Sequence, residues 1–460
     1  MHSIAGSSRF VGSRAPRAPI TSDQISETGP APVPNMFRVR PRAIWRFLKT
    51  QPASFWLINF YLFLEYVRPQ MIWTSLDILP WGLLAIVGTL IAMLIEGKLP
   101  RIRSAAGVSL LIFSGVLIIS SVVAVNPGQA YSGWQLYFSW VLVYLMITNI
   151  VTTEKRCFVF FLAFMMYSFK MSQHGVQTWV TNGFGFSSWG ATGGPGWFHN
   201  SGEFGVQMCV FLPISVEFAL AMRPYLGKWT RLFFYALPFT AIASMVVSSS
   251  RGALIGGAAV ALWWVARSKH RVRSLIGVVL LGLITWAVVP PEQKARFASA
   301  GEDETSTSRI DRWKVGVTIA NQYPAFGIGY NNWITYYGPL SHNIFVEAWS
   351  ELGYTGLFAF LGMIGATFYV NARTRRIVAK LPTETPFMRH MAYGLDGALI
   401  GYLASGFFVT VLYYPYFWIN LAMTVALHTA ALHERKRVGQ IKTQQSTAFR
   451  WGRATAPQVP

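Results

Sequence analysis

The chain has 460 residues, of which 53% are hydrophobic and only 12% charged, about half the charged share of soluble domains. Its 39 Lys and Arg face 18 Asp and Glu, a net charge of +21. This balance excludes a soluble enzyme, a disordered protein and a disulfide-stapled secreted domain. It predicts an all-α integral membrane protein, because a backbone in lipid must satisfy its own hydrogen bonds. The apolar stretches are too long and too poorly alternating for the strands of a membrane barrel.

Residues 1–50 are polar and proline-rich, with eight Lys and Arg and no apolar core. They are expected to form a disordered basic cytoplasmic tail, with a surface-lying stretch near 36–49. Twelve apolar segments follow, near 55–72, 78–95, 104–124, 131–150, 157–173, 203–222, 231–248, 252–267, 274–290, 343–370, 392–412 and 415–433. Together they predict a polytopic transmembrane domain over 51–433, closed by a second basic cytoplasmic tail, 434–460. With the N-terminus inside, the tails and inner connections hold 31 of the basic residues and the outer side holds eight. That asymmetry matches the positive-inside rule and puts both termini in the cytoplasm. The high net charge is then a topology signal, and nucleic-acid binding is not expected. Cys157 and Cys209 fall inside apolar segments and read as small buried hydrophobes.

Two outer connections are long. The first, 174–202, is rich in Gly, Trp and Phe; the second, 291–342, is polar with an amphipathic helix near 307–322. Long irregular segments in a compact protein are usually functional or disordered.

The outer cations run against the inside bias, so each needs a reason. Arg251, in SSSRGALIGG, sits at a helix start, where free amides favour anions. A guanidinium there would pair with phosphate oxygens. A snorkelling arginine beside a Gly252–Gly256 packing face would give the same pattern. Arg309 and Arg312, in TSTSRIDRWKVG, share a helix face with Trp313; a solvated amphipathic helix is the plainer reading. His342, in SHNIFVEAWSELG, suits proton removal near neutral pH, or could simply bond backbone at the helix start. Glu347 and Glu351 lie four apart on the helix that follows, but point away from His342, so no direct His–Glu dyad is implied. They are supporting groups, as is Arg68. Trp179, Trp189, Trp197 and His199 in the first loop are candidate glycan contacts, since indole rings suit sugar faces. An interfacial aromatic belt would also explain the tryptophans. No nucleotide-binding motif occurs. Arginines and a histidine on the outer side therefore suggest a donor activated beforehand, such as a lipid diphosphate whose departing charge the arginines stabilise.

SSSRGALIGG, followed by SRIDRWKVG…YPAFGIGYNNW and then SHNIFVEAWSELG, resembles the O-antigen ligase and Wzy-type polymerase superfamily over roughly 200–430. The resemblance implies a GT-C-type glycosyltransferase with a periplasmic loop subdomain in the bacterial inner membrane, working without cofactor or metal and with inversion. The donor implied is an undecaprenyl-diphosphate-linked glycan, held among membrane lipids, and the acceptor a sugar hydroxyl of lipid A–core. Arg251 and Arg309, or Arg312 in its place, would bind the diphosphate, and His342 would be the base. An O-antigen polymerase and a protein O-oligosaccharyltransferase share this chemistry. A transporter or lipid flippase is the alternative from another class, with Glu217 and Asp396 as its intramembrane charges.

Overall fold

The computed structural model describes residues 35–102, 104–185, 190–289, 291–298, 304–382 and 386–454. Among them the fold is helical throughout, with no strand. Its helices are α1 (Pro41–Lys49), α2 (Ala53–Tyr66), α3 (Pro69–Ile72), α4 (Trp81–Ile95), α5 (Ala105–Val122), α6 (Pro127–Ile150), α7 (Glu154–Thr181), α8 (Ser201–Met222) and α9 (Lys228–Val247). They continue with α10 (Arg251–Arg267), α11 (Arg271–Val288), α12 (Pro291–Ala298), α13 (Glu304–Gln322), α14 (Trp333–Tyr336), α15 (Ile344–Val378), α16 (Pro386–Gly406) and α17 (Pro415–Ala454).

The apolar segments fall on helices, the first of them divided between α2 and α3. Four helices are long and apolar enough to cross a membrane by length and composition: α5, α8, α9 and α15. Outward-facing apolar side chains line α5 and α11, among them Val108, Ile112, Val122, Val272, Leu283 and Ile284. Such faces are costly in water, at about 25 cal/mol per Å², and fit lipid instead. The chain breaks between α2 and α3 because Pro69 crowds the residue before it, and Arg68 turns left-handed at φ 50°.

α8 forms the centre of the bundle, buried along nearly its whole length. It packs against α16, α9, α10 and α7. Small residues allow this closeness. A Cβ on Gly397 would lie 2.7 Å from Pro213, and one on Gly401 2.7 Å from the Cys209 carbonyl oxygen. Gly252 and Gly256 form the packing face foreseen in the sequence: a Cβ on Gly256 would lie 2.9 Å from the Gly401 carbonyl oxygen. Cys157 and Cys209 are buried thiols, and Cys209 Sγ donates to the Ala253 carbonyl 3.1 Å away.

Element limits differ from the hydropathy reading where polar residues continue a helix. α7 runs on through polar residues to Thr181, so the connection placed at 174–202 begins eight residues later. α17 carries the basic stretch after residue 433 as helix to Ala454. At the other end, residues 41–49 form α1. Its Ile44, Phe47 and Leu48 pack against the core beside buried Met36 and Phe37. An amphipathic stripe of this kind gains its stability from burying one face.

α15 is not one continuous helix. At Gly353 the backbone leaves helical geometry, with φ 68° and ψ −168°. Tyr354 N–H then donates to the Pro324 carbonyl, and the freed Ser350 and Glu351 carbonyls accept from Ile328 and Gly329 N–H at 3.0 Å each. The PAFGIGYNNW segment is thereby stitched onto the kink. Gly327 and Gly329 make this approach possible, at φ 68° and 107°. A Cβ on either would collide with Glu351 or Ala124.

Candidate active site

The turn between α9 and α10 is three residues, Ser248 to Ser250. Ser249 is left-handed at φ 53°, and Ser250 caps α10 by accepting from Ala253 N–H at 3.3 Å. This cap sets Arg251 at the helix start, half-buried. Its Nη1 donates to Ser306 Oγ at 3.0 Å. Ser306 lies on α13, one turn before Arg309, so the α10 arginine reaches the helix that carries the other two.

α13 is fixed against the start of α15 by a small core of Ile319, Ile328, Trp333 and Val346. Gly316 lets Val346 approach too closely for any side chain. Trp313 packs edge-on against Phe407, with ring centres 5.1 Å apart, and donates from Nε1 to the Ser341 carbonyl at 3.1 Å. Arg312 Nη1 donates to the Leu340 carbonyl at 3.1 Å. The arginine helix is thus tied directly to the residues preceding His342.

His342 is held from both sides. Ser341 and Asn343 are buried. Asn343 caps α15 by accepting from Phe345 and Val346 N–H at 2.8 and 3.1 Å. His342 itself is left-handed at φ 50°, and its N–H donates to Thr410 Oγ1 at 2.8 Å. A histidine in that backbone region signals local constraint. Burial pushes the imidazole down to about 4, with the Arg309 and then the Arg312 guanidinium adding to the effect. The ring is therefore neutral at pH 7 and able to accept a proton. That electrostatic coupling also puts both arginines in the neighbourhood of His342. Arg309 and Arg312 are thus coupled to His342, and Arg251 is tied to the same helix through Ser306.

The supporting residues divide. Glu351 is a structural latch: its carboxylate accepts from Asn331 and Trp333 N–H at 3.0 Å each and from Tyr413 Oη at 3.3 Å. Glu347 is buried, with one carboxylate oxygen lacking a hydrogen-bond partner. As the helical geometry implied, no hydrogen bond joins either glutamate to His342.

Arg68 lies in a second group. Its guanidinium reaches Glu65 Oε1 at 3.4 Å and stacks over Trp197, 5.3 Å from the ring centre. Trp197 Nε1 donates to the same carboxylate, and Tyr414 lies 4.7 Å from it, centre to centre. Gly196, at φ 83°, leaves the space that Arg68 fills. His199 Nδ1 sits 3.7 Å from Glu203 Oε2. Arg68 and Trp197 thus form one wall with Glu65, and His199 follows two residues along the same loop. The connection between α16 and α17 links this wall to the arginine group, with Thr410 on His342 and Tyr414 on Trp197. Trp179 instead caps its own helix end, donating to the Phe184 carbonyl at 2.9 Å. Trp189 lies outside the described residues. Ser306, Thr410 and Glu65 are site residues that sequence reasoning missed. Their partners are 55, 68 and 132 positions away, and no spacing signals such pairings.

Among the described residues no group of three or more His, Cys, Asp or Glu could hold a metal ion.

An all-helical chain with outward apolar faces and helices long and apolar enough to cross a membrane has the character of a membrane protein. Residues 236–361 match the family described as O-antigen ligase. The resemblance seen in SSSRGALIGG and SHNIFVEAWSELG is borne out over that segment, which contains Arg251, Arg309, Arg312 and His342. The match supports an activity of O-antigen ligase or polymerase type, and so a membrane glycosyltransferase. No curated protein matches the chain significantly. A solved structure described as "Structural coordination of polymerization and crosslinking by a peptidoglycan synthase complex" is similar at 17% identity and a TM-score of 0.39, over 72% of this chain and 97% of that one.

Proposed function

We propose that this protein is an O-antigen ligase. It moves polysaccharide from undecaprenyl diphosphate to a sugar hydroxyl of lipid A–core, on the periplasmic face of the bacterial inner membrane. In this reading the bundle has about twelve spans of GT-C type, both termini are cytoplasmic, and the loops around 182–200 and 291–342 form the periplasmic subdomain.

The observation that carries the proposal is the coupling of Arg309 and Arg312 to a neutral His342, with Arg251 reaching the same helix through Ser306. His342 takes the proton of the acceptor hydroxyl as its oxygen attacks the anomeric carbon from the face opposite the diphosphate. The bond from that carbon to the diphosphate oxygen breaks, and the electron pair leaves with undecaprenyl diphosphate. The guanidiniums stabilise the charge that develops there. The donor also readies its own base. An anion between Arg309 and Arg312 compensates the charges that disfavour a protonated imidazole, so His342 becomes more basic once the donor is bound. Inversion follows from a single displacement, and no metal or cofactor takes part. Arg68, Trp197 and His199 are the glycan-facing groups.

A transporter reading draws on Glu217 and Asp396. Both are ion-paired to arginines, Arg267 at 2.9 Å and Arg375 at 2.5 Å, which favours a structural use of these carboxylates. The deciding experiment is reconstitution with an undecaprenyl-diphosphate glycan and three separate acceptors: lipid A–core, a second lipid-linked repeat, and a serine- or threonine-bearing peptide. Product on lipid A–core alone supports the ligase. Product on the second repeat or on the peptide replaces it with a polymerase or a protein O-oligosaccharyltransferase.

A further inference from the structure

Beyond its kink at Gly353, α15 continues to Arg373 and past it, a rise of roughly 30 Å from kink to arginine along the helix axis. Arg373 therefore stands far from the arginine–histidine site. At this end of α15 a cavity of about 320 Å³ opens between α5, α15 and α17, lined by Ser104, Ala105, Val108, Tyr369, Arg373 and His428 among others.

Arg373 is exposed, and among the described residues it makes no hydrogen bond and no ion pair. The acids on the neighbouring α16 and α17, Asp396 and Glu434, are held by Arg375 and Arg437 instead. The Arg373 charge acts on His428 together with that of Arg435, a second arginine with no hydrogen bond or ion pair among the described residues. The rest of the wall is fixed in place. Asn149 clamps the backbone of Arg101, accepting from its N–H at 3.1 Å and donating from Nδ2 to its carbonyl at 3.2 Å. Ser104 then caps α5, its Oγ accepting from Gly107 N–H at 3.1 Å and its carbonyl from Val108 N–H at 3.0 Å. The N–H groups of Ala105 and Ala106 have no acceptor among the described residues. His428 is only 4% exposed. Its Nδ1 lies 2.9 Å from Thr374 Oγ1, whose hydroxyl already donates to the Val370 carbonyl at 2.8 Å. Nδ1 is therefore the donor of that pair, and Nε2 is left as an acceptor with no hydrogen bond among the described residues.

We propose that this cavity binds the head group of an anionic phospholipid, at a site separate from the transfer site. An unpaired guanidinium beside the open amides of a helix start matches phosphate oxygens, and Nε2 of His428 accepts from a head-group hydroxyl. Basic pockets between membrane helices take lipid head groups in this way. The walls favour a lipid over a soluble phosphate. Val108 and Tyr369 line the cavity yet are 52% and 51% exposed. Leu111 and Ile112, three and four residues on from Val108, continue the same face of α5 and are exposed as well. Acyl chains thus find an apolar track that begins where the phosphate sits. Binding here does not depend on the transfer reaction and is read without turnover.

The test is native mass spectrometry of the full chain, exchanged in parallel into phosphatidylglycerol, which supplies both the charge and the hydroxyls, and phosphatidylcholine. The expected result is selective retention of phosphatidylglycerol, weakened about tenfold in Arg373→Ala, the usual scale for losing a charged hydrogen bond. Arg373→Lys, which keeps the charge but not the planar fork, should recover part of it. Arg271→Ala, on a helix that does not line the cavity, should retain the lipid as wild type does. Equal retention of the two lipids by wild type overturns the proposal, as does unchanged retention in Arg373→Ala or an equal loss in Arg271→Ala. A second arm adds millimolar inorganic phosphate, which should leave the lipid bound; full displacement makes a soluble anion the occupant and overturns the proposal too.

Discussion

Arg309→Gln removes one of the two guanidiniums that hold His342 down, and its effect can be bounded. The imidazole sits at about 4, with burial the largest cause and Arg309 the next. Because Arg309 contributes less than burial, its removal restores less than half of the gap to the usual value near 6.5. The midpoint should rise by at most about one pH unit. Diethyl pyrocarbonate reacts with neutral imidazole, so the pH dependence of modification at His342 reads that midpoint without requiring turnover. The chain has eight histidines, and peptide mass spectrometry separates the His342 peptide from the rest. Wild type should lose reactivity only as pH falls toward 4, and the variant at a higher pH. A wild-type midpoint near 6.5, or no movement on losing Arg309, would refute the electrostatic coupling on which the site rests. Adding donor to wild type should also raise the midpoint, since the diphosphate compensates the same charges.

His342→Ala should lower transfer by about 10²- to 10⁴-fold while leaving donor affinity largely intact; single-turnover assays with a separate binding measurement check both. Arg251→Ala should weaken binding of the lipid diphosphate by about tenfold or more, and unchanged affinity in purified protein would remove Arg251 from the site. Gly353→Ala places a side chain at φ 68°, 2.5 Å from the Ala325 carbonyl oxygen; it should cost at least about 1–3 kcal/mol, read as a lowered Tm. Transfer should persist in excess chelator, and its loss there, restored by a divalent ion, would bring a metal into the mechanism.

The helices were legible because apolar runs are a strong one-dimensional signal. Their ends were less so. MSQHGVQT at the end of α7 and the charged stretch after Leu432 are polar, yet their backbone bonds close locally and the helix simply continues. Arg251 was legible because a cation at a helix start, against the charge bias of the chain, needs a reason to be there. Glu351 was legible as a supporting group but its latch role was not, since its partners include backbone N–H groups of a loop about twenty residues upstream. The kink at Gly353 was hidden as well. LGYTGL continues the apolar pattern of its span, and only the backbone conformation reveals that PAFGIGYNNW completes the broken helix. Ser306 and Thr410 carry no signal of their own; their positions are consequences of packing.

The distribution of the site along the chain has its own meaning. Arg251, Arg309, Arg312, His342 and the latch at Glu351 all fall within residues 236–361, the segment matched to the O-antigen ligase family. Arg68, Trp197 and His199 fall outside it. In the proposed reaction the first group supplies the cations, a neutral base and a rigid mount for both. The second group offers an indole face, a guanidinium and an imidazole, which suit a sugar and in that proposal take no part in the displacement. The α16–α17 connection touches both, with Thr410 accepting from His342 N–H and Tyr414 packing on Trp197. Substitutions in the second group should therefore alter which acceptor or glycan is used before they alter the chemistry. Trp197→Ala should raise KM for one of the two substrates more than it lowers kcat. An equal loss in kcat with unchanged KM would place Trp197 in the reacting machinery instead.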